Sequence, residues 1–197
     1  ADDGCSLKAI HAVIDGLTKT DKKGNIVNAV AKSEELSEDG LTHTYKLRKD
    51  VKWTNGDPVT AHDFVYAWQR IFRKKGSYYY MFADGIASIE GAQELSDKID
   101  AGEELTDDDL NSMGVKAIDD YTLEVKTTVR VSFFDELMAF PCFFPINEKF
   151  CEKQGDKYGK SAKAILGNGA FIMTNWEPGS IAEFKKNEDY YLSLIHI

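Results

Sequence analysis

The chain has 197 residues, 24 basic and 33 acidic side chains for a net charge of −9, and is 43% hydrophobic and 12% aromatic. So much apolar and aromatic material excludes intrinsic disorder, and the acidic balance excludes a general nucleic-acid binder, which needs a basic surface for phosphates. No apolar run approaches the roughly 20 residues that cross a bilayer, and the length fits one domain or slightly more.

In chain order, residues 7–17 space Leu7, Ile10, Val13, Ile14 and Leu17 as one face of a helix. Asp21 to Asn25 reads as a turn, residues 26–31 as short and extended, and Ser37 to Gly40 as a second turn. Leu41, His43, Tyr45 and Leu47 alternate with polar residues, the mark of a half-buried strand. Residues 51–53 are extended, and Asn55-Gly56-Asp57-Pro58 is a strong turn signal. Thr60 then caps a helix, with Asp63 placed to complete a capping box. Phe64, Val65, Trp68, Ile71 and Phe72 form its apolar stripe, and Gly76 offers an end.

Tyr78-Tyr79-Tyr80-Met81-Phe82 follows at once. Read as extended, it sends Tyr78 and Tyr80 one way and Tyr79 and Met81 the other. Tyrosine pairs a rigid apolar ring with a hydroxyl handle, so this cluster suits either a ligand cleft or a core edge. Residues 84–100 have helical spacing, and Thr106 caps the acidic turn Asp107-Asp108-Asp109. Residues 115–118 and 121–125 form a hairpin pattern with Val115 and Ala117 facing Leu123 and Val125. Residues 133–140 and 146–154 read as short helices around the aromatic stretch Cys142-Phe143-Phe144. The chain then passes through Gly167-Asn168-Gly169 into a strand reaching Trp176, with residues 181–185 as its return. Strands and helices mix with antiparallel hairpins, giving an α/β lobe with α+β character. No internal repeat and no signal peptide is visible.

Little in this order carries chemistry. Cys5, Cys142 and Cys151 include no CxxC pair; Cys142 and Cys151 could bridge, but free, mostly buried thiols are the expectation. His11, His43, His62 and His196 are never three or four residues apart, and HExxH is absent, so no metal site is expected. The three aspartates from Asp107 are contiguous, unlike the alternate ligands of a calcium loop, and suit a helix N-terminus. Gly167-Asn168-Gly169 lacks the GK[ST] ending of a phosphate loop; its glycines permit close backbone approach, to a ligand or to the chain itself. Ten acidic residues and two lysines lie between Glu94 and Asp120, a net of −8, so the charge belongs to one stretch, read as a solvated outer face.

Several segments together resemble the solute-binding proteins of oligopeptide ABC transporters. They are SEELSEDGLTHTYKLRKDVKWTNGDPVTAHDFVYAWQR (Ser33 to Arg70), MGVKAIDDYTLEVKT (Met113 to Thr127), FFPINEKFCEKQGDKYG (Phe143 to Gly159), GNGAFIMTNW (Gly167 to Trp176) and KKNEDYY (Lys185 to Tyr191). The resemblance spans roughly residues 7–191. It implies the first lobe of a two-lobed, type II periplasmic-binding-protein-like fold, incomplete here: residues 1–14 a remnant of the central sheet domain, 15–130 an extra subdomain, 131–191 a return to the central sheet. Residues 192–197 match nothing in the family and are expected to be a non-native tail, with the second lobe absent. The implied function is extracytoplasmic binding of oligopeptides for delivery to a permease, without covalent chemistry or cofactor, as a monomer held at the membrane only through a lipid anchor on the missing N-terminus. Tyr80, with Tyr78, Tyr79 and Phe82, is the expected ligand segment, and Asn168 and Gly169 lie near the expected interlobe cleft. Within the family the solute could instead be a dipeptide, a nickel chelate, haem or a signalling peptide. Outside it, a hydrolase would need Cys142 or Cys151 beside a histidine.

Overall fold

The computed structural model describes residues 4–177 and 179–192. Helix α1 (Gly4–Val13) ends four residues before the apolar spacing does. The backbone that follows is engaged elsewhere: the carbonyls of Gly16 and Leu17 accept from Val30 and from Ala29 and Ala31. Strands β1 (Thr18–Thr20) and β2 (Ile26–Asn28) form a hairpin whose turn is fixed by the Asp21 carboxylate, which accepts the N–H groups of Lys23 and Asn25. Gly24, at φ +86°, takes the left-handed position in that turn.

Strands β3 (Ala31–Leu36), β4 (Thr42–Leu47), β5 (Val115–Asp119) and β6 (Thr122–Lys126) make one antiparallel sheet in the order β3-β4-β6-β5. The alternation read from the sequence holds: His43, Tyr45 and Leu47 are buried, and Val115 and Ala117 pair with Val125 and Leu123. Residues 51–53 contribute only a single bridge, Lys52 to Pro58.

Helix α2 (Ala61–Arg73) packs on this sheet, beside β5. Its stripe is clear in Phe64, Trp68 and Phe72, spaced four apart and without exposed surface, whereas Val65 and Ile71 are half-buried. Each such fully buried aromatic contributes about 1.5–3 kcal/mol of transfer free energy. The expected capping box forms, with the Thr60 N–H donating to the Asp63 carboxylate at 2.8 Å. The same carboxylate accepts the Trp53 indole N–H at 3.1 Å, so Asp63 ties the preceding turn to the helix start. Burial pushes the Asp63 carboxyl above its usual range.

The helix expected over 84–100 is only α3 (Ala92–Asp100). Gly85, Ser88 and Gly91 have φ of +82°, +49° and +77°, left-handed values that no right-handed helix accommodates. Helix α4 (Asp107–Asn111) starts at Thr106, whose hydroxyl accepts from the Asp109 N–H. The acidic stretch is matched at its edge by cations: Arg73 meets Asp107 at 2.8 Å, Lys75 meets Glu104 at 3.4 Å and Lys98 meets Asp109 at 2.5 Å. The first two are exposed pairs of small energetic weight, and the third is part-buried.

Helix α5 (Phe134–Met138), a 3-10 turn at Pro141–Phe143 and helix α6 (Glu148–Gln154) follow the sheet. A single core runs from Leu17 to Leu166 and so crosses residue 130: the Trp68 indole N–H donates to the Phe143 carbonyl, and Phe134 and Met138 of α5 lie in the same core. A smaller cluster joins Val13, Ile14, Phe144 and Met173. Strands β7 (Phe171–Glu177) and β8 (Ile181–Lys186) form the last hairpin; β8 is exposed along its length, and Phe171, Ile181 and Phe184 face outward. Residues 193–197, most of the expected non-native tail, lie outside the described residues.

Candidate functional site

The tyrosine segment is not extended. Residues Tyr79–Phe82 form a 3-10 turn, which returns to the same face every three residues. That period places Tyr79 and Phe82 together against the core, where Phe72 lies 6.1 Å from the Tyr79 ring and 5.5 Å from the Phe82 ring. An extended strand could not direct both inward, since they are three apart. Phe82 also meets Trp68 at 5.6 Å and Phe143 at 4.4 Å and is fully buried. As a ligand contact Phe82 is therefore a misreading: its ring has no free face and serves to anchor the turn. The Tyr79 hydroxyl donates to Asp100 at 2.5 Å, which raises the phenol's pKa and ties its polar end to α3.

The turn leaves one side open. Tyr80 is 50% exposed, among the most exposed large side chains. Its ring sits 6.3 Å from that of Tyr78, which is edge-on to Phe140 at 5.7 Å. Tyr78, Tyr80 and Phe140 form a run of aromatic rings, of which Tyr80 is exposed and the other two are half-buried. Met81 turns beneath, its sulfur 3.8 Å from the Cys142 thiol. Phe140 was missed in the sequence; the only signal was its place just before Pro141. Two concavities formed elsewhere, one of about 660 Å³ beside Lys49 and Tyr121 and one of about 180 Å³ beside Ser112 and Lys116, include none of these rings.

Asn168 and Gly169 have a different setting. A Cβ on Gly167 would lie 2.1 Å from the Val13 carbonyl oxygen, and one on Gly169 2.7 Å from the Val13 carbonyl carbon. The close approach that the glycines allow is to the chain's own backbone. The Gly169 N–H donates to the Val13 carbonyl at 2.9 Å. The Asn168 side chain accepts the Asp15 N–H at 2.8 Å and donates to the Asp15 carbonyl at 3.2 Å. Asn168 is buried, and its amide is engaged on both sides. The Gly167 carbonyl accepts the Thr54 N–H at 2.8 Å, joining this closure to the Trp53 turn. Among the described residues, no hydrogen bond or aromatic contact joins residues 167–169 to the tyrosine turn.

Asp15, passed over in the sequence, is the polar centre of that closure. Its carboxylate accepts the hydroxyls of Tyr190 and Tyr191 at 2.5 and 2.7 Å, and Lys19 donates to the Tyr190 hydroxyl at 2.7 Å. Burial, then the Asp15 charge, pushes both phenols upward. The remaining candidates have plain settings. Cys142 and Cys151 are free thiols, and burial raises the Cys142 pKa, the reverse of an activated nucleophile. His62 is exposed beside Asp120, while His43 is buried and paired to Glu34. No cluster of three metal-ligating side chains is found among the described residues.

The mixed α/β lobe and its aromatic turn can be set beside known families. Residues 25–196 match the model of the bacterial extracellular solute-binding proteins, family 5, and the chain belongs to that family. It is 35% identical over 191 residues to the oligopeptide-binding protein OppA of Bacillus subtilis, covering 97% of this chain and 33% of that one. Among solved structures, the substrate-binding domain of an oligopeptide ABC transporter from Bacillus anthracis superposes with a TM-score of 0.86 at 38% identity, over 97% of this chain and 35% of that one. Listeria monocytogenes OppA bound to peptide gives 0.85 at 35% identity, over 97% and 36%. The chain thus spans about a third of the length of these relatives. The family is extracellular, in keeping with an extracytoplasmic place for this chain, and no described helix is long and apolar enough to cross a membrane.

Proposed function

We propose that the chain supplies part of the first lobe of an extracytoplasmic oligopeptide-binding protein, with Tyr80 and Tyr78 as its peptide-facing residues. The observation that carries this reading is the arrangement of one turn: Phe82 is fully buried and Tyr79 packs half-buried on Phe72, while Tyr80 is half-exposed with the half-buried Tyr78 ring beside it. Exposed tyrosines on an anchored backbone offer large contact area at little entropic cost. Relatives of this chain are named as oligopeptide-binding proteins, and one was solved bound to peptide. The division into residues 15–130 and 131–191, delivery to a permease and a non-enzymatic role belong to the same reading.

A single exposed face lacks the enclosure of a ligand pocket. The 197-residue chain is therefore expected to bind tri- to pentapeptides only in the millimolar range, with NMR shifts concentrated at Tyr78 and Tyr80 and lost in Tyr80→Ala. Micromolar binding by this chain, or shifts that avoid the turn, would refute the assignment.

A further inference from the structure

The last hairpin has an open edge. Among the described residues, β7 and β8 pair only with each other, and every residue of β8 is exposed. The further bonds that reach β8 or its flanks come from the β7 side. The Ser180 N–H donates to the Glu177 carbonyl, the Asn187 N–H to the Ala170 carbonyl, and the Thr174 hydroxyl to the Glu183 carbonyl. The outer side of β8 is therefore a row of backbone donors and acceptors open to another strand. It also carries apolar surface. Met173 of β7 is buried against Val13 and Ile14, but Phe184, its cross-strand neighbour on the same face, is 37% exposed, and Ile181 on the opposite face is 46% exposed.

The charges on this strand indicate what fits it. Residues 181–186 read Ile-Ala-Glu-Phe-Lys-Lys. Lysines on an edge ordinarily guard it against pairing. Here Lys186 meets Glu188 at 3.0 Å, whereas Glu183 and Lys185 have no ion-pair partner among the described residues. A two-fold interface requires a surface complementary to itself. In a regular antiparallel pair, facing residues direct their backbone groups to the same side, so odd positions face odd and even face even. A register centred on Glu183 would set two glutamates opposite each other, and one centred on Lys185 two lysines. Centred on Phe184, the register opposes the two phenylalanines and sets each Glu183 against the partner's Lys185, with facing Cβ atoms about 4.5–5.5 Å apart.

We propose that two copies of the 197-residue chain join antiparallel along β8, with Phe184 at the two-fold axis and Glu183 of each copy facing the partner's Lys185. The two hairpins then form one four-stranded sheet, which pairs the open backbone groups and covers Phe184 on one face and the charge pairs on the other. An edge of six residues makes a small interface, so the dimer is a weak one that forms at high protein concentration. This departs from the monomer that the family resemblance implies, and it does not depend on the tyrosine turn.

Sedimentation equilibrium of the 197-residue chain from micromolar to millimolar concentration should show a monomer–dimer equilibrium. Glu183→Lys and Lys185→Glu each set like charges opposite at two symmetric positions and should weaken the dimer about tenfold. Both side chains are exposed, so these changes act on association and not on the fold. The double variant restores opposite charges and should recover the original affinity to within about threefold. Mixed together, the two single variants should pair with each other in preference to themselves, because one is wholly positive at these two positions and the other wholly negative. Amide exchange along β8 should slow as the dimer forms. A chain that stays monomeric up to millimolar concentration overturns the proposal and leaves the edge to another segment or partner. A dimer indifferent to the single reversals, a double variant no tighter than the singles, exchange protection away from β8, or assembly beyond the dimer also overturns it.

Discussion

Gly167→Ala separates a backbone-closure role for the Gly-Asn-Gly segment from a ligand role. The added Cβ would lie 2.1 Å from the Val13 carbonyl oxygen, whereas ordinary contact begins at 3.4 Å, so the segments must part by about 1.3 Å. That displacement breaks or stretches three buried hydrogen bonds, Gly169 N–H to Val13 and the two between Asn168 and Asp15. At about 1 kcal/mol each, with some strain remaining, the expected cost is roughly 3–4 kcal/mol. That is a large share of the 5–15 kcal/mol typical of a domain, and urea denaturation read by tryptophan fluorescence should resolve it as a clear fall in midpoint. Gly24→Ala is the control: at φ +86° with nothing within 4 Å, it tests conformation without crowding and should cost only about 1–2 kcal/mol. A Gly167→Ala chain within about 0.5 kcal/mol of the original would refute the closure role and return the segment to ligand contact.

Four further outcomes follow from the packing. Trp68→Ala opens a cavity among Phe82 and Phe143 and should cost about 3–5 kcal/mol in the same assay, with the tyrosine turn losing its anchor. Tyr80→Ala, at a half-exposed position, should leave the midpoint within about 0.5 kcal/mol while abolishing the peptide-induced NMR shifts. Asp109 is held down to about 2, chiefly by its hydrogen bond from Lys98; its contribution is present above the ordinary aspartate value and lost as pH falls toward 2, so Asp109→Asn should flatten the acid limb of stability between those values. Cys142, with its thiol pushed up by burial, should react with iodoacetamide at neutral pH more slowly than a free cysteine peptide; a faster reaction would reopen the hydrolase reading.

The sequence by itself determined what depends on near neighbours. Thr60 and Asp63 lie three apart, so the helix start was legible from their spacing. The strand alternation at His43, Tyr45 and Leu47 and the hairpin pairing of Val115 with Val125 were legible for the same reason. The family was legible too, because its motif through Trp53, Asp57 and Asp63 is a locally bonded turn and helix start. What failed was the conformation of residues 78–82 and the extent of helix in 84–91. The first was decided by Phe72, Trp68 and Phe143, which draw Phe82 and Tyr79 inward together; the second by left-handed residues that a periodicity count does not see. Only the tertiary structure could reveal that Asn168 bonds to Asp15 across 153 positions, or that the Tyr45 hydroxyl bonds to Asp135 across 90. Such contacts have no local signature, because the free energy that selects them is gained only when distant segments close on one another and exclude water.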